Sequence, residues 1–349
     1  NDVNVIKNIT SYFAKYDIAY EYIGFTNTSK NFTIKHNNET ILDEKLNKLR
    51  LLWSRQSLNM EKLQSTDFCV KQEEESIINQ IEEPYSIGKK IKINNTRFET
   101  KNTVFIIREE GSNGDREMAS AFYYNDFNVV DCCMNDIINN PNIIDIANCL
   151  AFVGGFSFSD SCGAAKGWAK TILLNKKIKE AFERFRNDKK KISLGICNGC
   201  QLLCRLGWIE NVEAPILNDS KKFESRWSTV KVRKTNNIFL KNCDDIQYGI
   251  WVAHAEGKFG RVPKNQIVMN YTLNTMKTTV YPYNPNGSFD GVAGVSSIDG
   301  RHLAMMPHPE RCFLTKQCQY IPEYCSQDYS PWNNIFKNAY NWSIKNQIN

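Results

Sequence analysis

The segment at 194–201, Leu-Gly-Ile-Cys-Asn-Gly-Cys-Gln, has the residue types and spacing of a nucleophile elbow. Gly195 and Gly199 flank Cys197 as glycines flank the serine of a G-x-S-x-G motif. A tight turn from strand to helix leaves no room for Cβ atoms beside the nucleophile. It also points the sulfur at the positive end of a helix dipole, which stabilises a thiolate. The chemistry predicted is attack by Cys197 on a carbonyl carbon.

A cysteine nucleophile needs a base, and the sequence holds four histidines: His36, His254, His302 and His308. We predict His308, because an apolar strand pattern at 303–306 delivers it and prolines on both sides stiffen the segment. Glu310, two residues later, can accept a hydrogen bond from the imidazole and hold its tautomer. Cys197, His308 and Glu310 are therefore the predicted nucleophile, base and orienting residue.

Such a reaction also needs donors for the oxyanion that develops on the carbonyl oxygen. Gly154 and Gly155 follow an apolar strand pattern and offer unhindered backbone N–H groups. The N–H of Asn198, on the residue after the nucleophile, is the third predicted donor.

Each of these pieces has an alternative interpretation. Cys197 and Cys200 form a Cys-x-x-Cys pair that is also found in redox and zinc sites, although the sequence has no second such pair. Gly-Gly after a strand is often only a turn, and Pro-His-Pro is often only a rigid loop. The three features in this order, on alternating strands and helices, favour catalysis.

The strands and helices that must position these residues alternate along the sequence from Thr103 onward. This alternation predicts an α/β fold with a mostly parallel central sheet flanked by helices. Strands are predicted at 103–107, 127–132, 149–153, 192–196, 228–232, 250–254, 292–296 and 302–306. Helices are predicted at 115–124, 163–175, 177–187, 198–206 and 332–345.

The first hundred residues differ, and we predict an α+β extension there. An amphipathic helix carries apolar residues from Val5 to Tyr16, and strand-like runs follow at 19–25 and 32–35. A longer helix is predicted at 43–63, with a buried face formed by Leu46, Leu49, Leu52, Trp53, Met60 and Leu63. Residues 66–101 are predicted as a linker.

Composition narrows the class of protein. Among 349 residues, 44 Lys and Arg exceed 38 Asp and Glu without forming a stripe, which does not favour nucleic acid as a partner. No apolar run is long enough to span a bilayer, and residues 1–20 lack the apolar core of a signal peptide. The twelve cysteines lack the spacing of a disulfide framework. We therefore predict a cytoplasmic protein without nucleic-acid or membrane partners, and expect the chain to be the C-terminal part of a longer polypeptide.

From about residue 103 to 342 the sequence resembles the phosphoribosylformylglycinamidine synthase family of purine biosynthesis. The matching strings are 107–118, 152–157, 165–168, 194–201, 224–228, 281–288, 306–311 and 330–332. The resemblance implies a flavodoxin-like, class I glutamine amidotransferase domain at 102–349. A weaker likeness around residues 49–53 implies that 1–65 is the tail of an aminoimidazole-ribonucleotide-synthetase-like domain.

The resemblance also implies which residues hold the substrate. Glutamine would be bound by Phe156, Gln201, Ser225, Arg226 and Trp227. His254 and Glu256 match a His-Gly-Glu-Gly string of the family, read here with Ala255 in place of the first glycine. The segment 158–163 also departs from the family pattern, which has apolar residues before the glycine.

The resemblance implies that this segment is the glutaminase part of a ligase. It would hydrolyse glutamine through a Cys197 thioester and supply ammonia, through a channel, to ATP-dependent conversion of formylglycinamide ribonucleotide. The implied partners are glutamine and an upstream synthetase domain of the same polypeptide. ATP and Mg²⁺ are expected in that domain, and no cofactor or metal is expected in this segment. The alternatives are a non-catalytic regulatory module and a cysteine hydrolase acting on another substrate.

Overall fold

The computed structural model describes residues 3–79, 102–321 and 328–347. The chain divides into two compact units. One comprises Asn1–Asn59 with Glu74–Gln80, and the other comprises Met60–Glu73 with Ile81–Asn349. Among the described residues, no helix combines the length and apolar character needed to cross a membrane.

The first unit is built from helices and one hairpin. Its elements are α1 (Val3–Lys15), the antiparallel strands β1 (Asn31–His36) and β2 (Glu39–Lys45), the first part of α2 (Leu46–Gln64) and the end of α3 (Asp67–Asn79). The strand expected at 19–25 is wrong, since these residues form no strand. Strand β2 was not expected, and it takes up the first three residues of the helix predicted at 43–63.

The predicted buried face of α2 is also wrong. Leu46, Leu52, Trp53, Met60 and Leu63 are exposed, Trp53 to 82%. Leu58 is instead the buried residue of this helix. An apolar stripe shows which face of a helix would pack, but not whether a packing partner lies within the chain.

Helix α3 occupies part of the stretch predicted as a linker at 66–101. It runs from Asp67 to Asn79, with Cys69 and Val70 buried. Residues 80–101 lie outside the described part of the chain. The division into residues 1–65, 66–101 and 102–349 stays a prediction.

Five parallel strands form one side of the central sheet. They are β3 (Thr103–Arg108), β4 (Asn128–Cys133), β5 (Cys149–Phe152), β6 (Ile192–Ile196) and β12 (His302–Met305), in the spatial order β4-β3-β5-β6-β12. Their mostly apolar sequences suit strands covered on both faces. The predicted α/β class, with a parallel core flanked by helices, is confirmed.

The sheet continues beyond β12 as an antiparallel arm, which the sequence pattern did not predict. It contains β7 (Glu224–Val232), β8 (Gln247–His254), β9 (Ile267–Leu273), β10 (Met276–Lys277) and β11 (Val292–Ser296). The order is β12-β11-β9-β7-β8, with β10 paired to β9. Strand β9 is a strand that the sequence analysis missed.

Helices cover the sheet and complete its core. They are α4 (Asp115–Tyr123), α5 (Met134–Asn139), α6 (Lys166–Leu173), α7 (Lys176–Asn187), α8 (Asn198–Arg205) and α9 (Asn333–Gln347). Phe152 on β5 contacts Trp168, Phe182 and Trp208 at ring distances of 5.7 to 6.1 Å. Burial of such large rings supplies most of the stabilisation that holds helices on a sheet. The sheet is thus a rigid base for the loops at its strand ends.

Candidate active site

Cys197 lies at the turn between β6 and α8. Its backbone has φ 53° and ψ −107°, a conformation that costs a non-glycine residue energy and that clusters at functional sites. The Cys197 N–H donates to the Met305 carbonyl at 2.9 Å, which ties the elbow to β12. The geometry is that of the strand-to-helix elbow predicted from the sequence.

The glycines beside the elbow are required by close backbone contacts. A Cβ built on Gly195 would lie 2.5 Å from the Gly199 carbonyl oxygen. A Cβ on Gly199 would lie 2.1 Å from the Phe152 carbonyl oxygen. Both distances are impossible for real atoms, so the turn forms only with glycine at these two positions.

Parallel pairing of β6 and β12 brings the proposed base to the nucleophile. Ile196 pairs with Met305, so the carboxyl ends of the two strands meet and deliver Cys197 and His308 to the same place. A Cβ built on Gly154 would lie 3.3 Å from Cys197 Cβ and 3.0 Å from His308 Cε1. Gly154 therefore lies against both residues, and a side chain at this position would press on the His308 ring.

His308 and Glu310 form a buried pair. Glu310 Oε1 lies 2.5 Å from His308 Nδ1, and the two side chains are 1% and 2% exposed. Burial lowers the pKa of His308, but the negative charge of Glu310 and the contact with Cys197 outweigh burial and raise it to about 9. With Nδ1 held by Glu310, Nε2 has no standard hydrogen-bond partner among the described residues and is available to Cys197.

The Cys197 sulfur donates to the Ala253 carbonyl at 3.6 Å in this resting state. Ala253 was not among the predicted site residues. Its carbonyl is a backbone group on β8, so no side-chain pattern in the sequence could reveal it.

The predicted oxyanion donors lie on the segments beside Cys197: Gly154 and Gly155 after β5, and Asn198 next to it in the chain. Gly154 and Gly155 follow β5, and Gly155 has φ +134° and lies against the backbone of Ser112 and Asn113. Asn198 is the first residue of α8, where backbone N–H groups lack helical partners. Among the described residues, none of the three amides donates to a backbone carbonyl.

Gln201 is held rigidly one turn into α8. Its Nε2 donates to the Glu256 carbonyl at 2.5 Å, and its Oε1 accepts from Asn198 Nδ2 at 3.0 Å. Glu256 also accepts from the Ala164 N–H through Oε2 at 3.2 Å. The predicted residues Gln201 and Glu256 are thus joined to each other and to the elbow.

The predicted segment 225–227 lies on β7, which pairs with β8, the strand that carries Ala253. Ser225 pairs with Ala253, whose carbonyl meets the sulfur. Arg226 is already bound to the buried Glu224 at 2.7 Å and to Tyr281. Trp227 packs edge-on against Trp251, beside a cavity of about 320 Å³. Its described lining residues do not include the three predicted catalytic residues.

Phe156 is partly exposed and contacts Phe223 at 5.9 Å. Its role in holding glutamine stays a prediction. The three residues from Phe158 to Asp160 all have positive φ, between 50° and 56°.

Asp160 is a residue that the sequence analysis missed. Its Oδ1 accepts from Asn198 Nδ2 at 3.4 Å. Burial and then the charge of Glu256 raise its pKa to about 6. Asp160 belongs to the segment 158–163, which departs from the family pattern. That departure was the feature of the sequence that could have pointed to this residue.

His254 is 2% exposed, and burial together with the charge of His308 lowers its pKa to about 3. It is therefore a neutral imidazole close to the proposed base. Its partner is Asn286, which the sequence analysis quoted within the string 281–288 but did not single out.

The structure does not favour a redox or zinc site at Cys197 and Cys200. Cys200 is fully buried on α8, and burial raises its thiol pKa well above the usual value. No group of three or more His, Cys, Asp or Glu residues within the described ranges is placed to hold a metal ion.

Comparison with known proteins adds independent findings. A family model described as a CobB/CobQ-like glutamine amidotransferase domain matches residues 101–343. The phosphoribosylformylglycinamidine synthase of Drosophila melanogaster is 35% identical over 97% of this chain, which covers 27% of that protein. The Homo sapiens protein of the same name is 36% identical over 88% of this chain, which covers 26% of it. The chain spans about a quarter of the length of these relatives.

Among solved structures, PurLQS from Thermotoga maritima is similar with a TM-score of 0.54 and 25% identity. The match covers 70% of this chain and 99% of that one.

Proposed function

Because this chain belongs to the CobB/CobQ-like glutamine amidotransferase domain family, as its match over 101–343 shows, we propose that it is the glutaminase part of a phosphoribosylformylglycinamidine synthase. Curated relatives with that name align along most of the chain and support this assignment. One observation supports the proposed chemistry most strongly. Cys197 and His308 both lie against Gly154, and Glu310 lies within hydrogen-bond distance of His308.

In the proposed reaction the Cys197 sulfur attacks the side-chain amide carbon of glutamine. During the attack the thiol proton is held on His308 Nε2, which the raised pKa of His308, about 9, favours, and His308 gives that proton to the leaving nitrogen as the carbon–nitrogen bond breaks. Ammonia leaves and a γ-glutamyl thioester remains on Cys197. Water then attacks the thioester with His308 as the base, and glutamate and the free thiol are released. Throughout, Glu310 holds Nδ1 and stabilises the imidazolium form.

The amides of Gly154, Gly155 and Asn198 would stabilise the oxyanion of both tetrahedral intermediates. These donors are fixed by the backbone before substrate arrives, so they need no rearrangement during the reaction. Gln201, which Asn198 and Glu256 lock in place, would meet the glutamine, together with Phe156 and residues 225–227.

The ammonia would pass to a synthetase part of the same polypeptide. There it would convert formylglycinamide ribonucleotide to formylglycinamidine ribonucleotide with ATP and Mg²⁺, to which we assign no residue in this chain. Free ammonia is protonated in water, so a tether that keeps the exit of one site near the entry of the other favours transfer. We propose that residues 1–65 are the tail of that part and that the enzyme works in the cytoplasm.

The test replaces Cys197 by Ala in the full-length enzyme. Glutamine-dependent product formation should vanish while ammonia-dependent formation survives. Cys162, an exposed cysteine, supplies the control, since Cys162→Ala should leave both activities unchanged. Loss of both activities in the Cys197 variant, with its fold intact, would contradict the division of labour.

A second measurement separates catalysis from the non-catalytic alternative. A diazo-ketone analogue of glutamine should alkylate Cys197, and peptide mass mapping should locate the added mass there. An unlabelled Cys197 under conditions that label a known glutaminase would favour the regulatory module.

A further inference from the structure

A buried polar cluster lies beside the elbow and has no role in the reaction steps described above. Its members are Asn218, His254, Asn286 and Ser288, each no more than 2% exposed. Polar groups this deeply buried bond mostly to one another, so their hydrogen bonds fix how each is oriented. His254 Nδ1 is the exception, since it has no hydrogen-bond partner among the described residues.

The orientation of the Asn286 amide follows from Ser288. Asn286 Oδ1 accepts from the Ser288 backbone N–H at 3.0 Å and from its hydroxyl at 2.7 Å. A backbone N–H can only donate, so the oxygen of the amide must face Ser288. Asn286 Nδ2 therefore faces His254 and donates to its Nε2 at 3.0 Å.

This hydrogen bond determines the tautomer of His254. Because Nε2 accepts a hydrogen bond, it carries a lone pair, and the proton of the neutral ring is on Nδ1. The opposite tautomer would set the Nε2–H against the Asn286 Nδ2 donor, which would keep only its long contact with the Tyr271 hydroxyl at 3.4 Å. His254 stays neutral because burial and the nearby charge of His308 lower its pKa to about 3.

The residues around this imidazole supply two carbonyls to the active site. Ala253, directly before His254, accepts from the Cys197 sulfur at 3.6 Å. Glu256, two residues after it, accepts from Gln201 Nε2 at 2.5 Å. The path of residues 253–257 therefore sets the positions of both contacts.

The backbone of residues 253–257 packs tightly against the His254 ring. A Cβ built on Gly257 would lie 2.0 Å from His254 Cδ2 and 2.1 Å from Nε2. Asn218 closes the turn, since its Nδ2 donates to the His254 carbonyl at 2.8 Å and its Oδ1 accepts from the Gly257 N–H at 2.9 Å. A ring that rotated would push residues 253–257 away from the elbow.

We propose that Asn286 is a positioning residue for the glutaminase reaction. By donating to His254 Nε2 it fixes the ring as the Nδ1–H tautomer, and the fixed ring holds residues 253–257 so that their carbonyls meet Cys197 and Gln201. The inference rests on the proposed function, and it concerns a residue that never touches the substrate.

The experiment compares Asn286→Ala with Asn237→Ala in this chain. Asn237 is an equally buried asparagine near another histidine, where it donates to Ser296 Oγ at 2.8 Å and to the His302 carbonyl at 3.3 Å. Both variants lose a buried amide, so the control measures the effect of lost packing alone. The readout is inactivation by the diazo-ketone glutamine analogue, with binding and alkylation steps separated by varying its concentration.

The expected result is alkylation about 10- to 100-fold slower in the Asn286 variant, since small displacements of reacting groups have effects of that order. The control should stay within about 2-fold of the parent chain. Equal alkylation rates in the two variants, with the parent chain labelled normally, would overturn the inference. A parent chain that is not labelled would instead count against the proposed function.

A second measurement does not depend on whether the variant folds. Nitrogen NMR of ¹⁵N-histidine in the parent chain should show His254 as a neutral ring protonated at Nδ1 between pH 6 and 9. Observation of the Nε2–H tautomer, or of a charged ring, would exclude the proposed role of Asn286. Where the Asn286 variant folds, this fixed tautomer should be lost, whereas the Asn237 variant should keep it.

Discussion

The negative charge of Glu310 can be removed with almost no change in the shape of the side chain. In Glu310→Gln the amide oxygen can still accept from His308 Nδ1, the atom that lies 2.5 Å from Oε1 in the parent. The variant therefore isolates the charge from the hydrogen bond. Both side chains are almost fully buried, so solvent does little to screen the interaction.

The magnitude follows from the pKa of His308, which is raised from 6.5 to about 9. Each pKa unit corresponds to about 1.4 kcal/mol, so this rise contributes about 3 kcal/mol to the free energy of unfolding. The folded pKa is above the unfolded one. The contribution is therefore fully present below pH 6.5 and is lost as the pH rises through about 9. In Glu310→Gln the charge of Glu310, the largest influence that opposes burial, is gone and only the weaker contact with Cys197 remains, so most of the contribution disappears at every pH.

Urea unfolding at pH 6, 8 and 10, followed through the buried tryptophans of the larger unit, measures this difference. The parent should exceed the variant by about 3 kcal/mol at pH 6, and the gap should shrink steadily toward pH 10. The control is Asp131→Asn, which breaks an exposed ion pair with Arg108 and should cost at most about 1 kcal/mol at all three pH values. A gap for Glu310→Gln that does not change with pH would refute the reasoning, because it would mean that the carboxylate does not hold a proton on His308.

Two further substitutions test other parts of the site. Gly199→Ala places a Cβ 2.1 Å from the Phe152 carbonyl oxygen, so it should displace the elbow, destabilise the fold by about 1–3 kcal/mol and abolish labelling of Cys197. Gly260→Ala, whose Cβ would meet no atom within 4 Å, should do neither, and a labelled Gly199 variant of normal stability would contradict the packing argument. Asp160→Asn should stabilise the protein by at most about 1 kcal/mol at pH 8, after allowing for partial exposure, and by nothing at pH 4. The pKa of Asp160 is raised to about 6, so ionisation of its carboxyl group destabilises the folded state as the pH rises. A variant that is less stable than the parent at pH 8, measured by urea unfolding, would exclude this explanation.

Sequence reasoning was most successful where the pattern is local. The strand at Ile192–Ile196, the glycines around Cys197 and the helix that follows were predicted within a residue or two, because alternation and turn sterics act over a few residues. His308 was chosen from four histidines by the strand that delivers it, and the structure brings it to Cys197.

Reasoning failed where a property depends on distant partners. The apolar face of α2 was read as buried although Trp53 is 82% exposed, since a stripe carries no information about what covers it. Strands β7, β8 and β11 of the antiparallel arm were predicted, but their antiparallel pairing was not, because the direction in which a strand pairs is set by its neighbours in space and not by its own residues.

The sequence by itself determined the α/β class and the elbow, since these follow from short-range periodicity and from the sizes of adjacent side chains. It also supplied the candidates for nucleophile, base and orienting residue, whose roles stay predictions. Only the tertiary structure decided that Ala253 faces the sulfur, that Asp160 is close to Asn198, and that the Asn286 amide faces His254 Nε2. Hydrogen bonds between residues that are tens of positions apart depend on how the strands pack together. Their geometry exists only once the chain has folded.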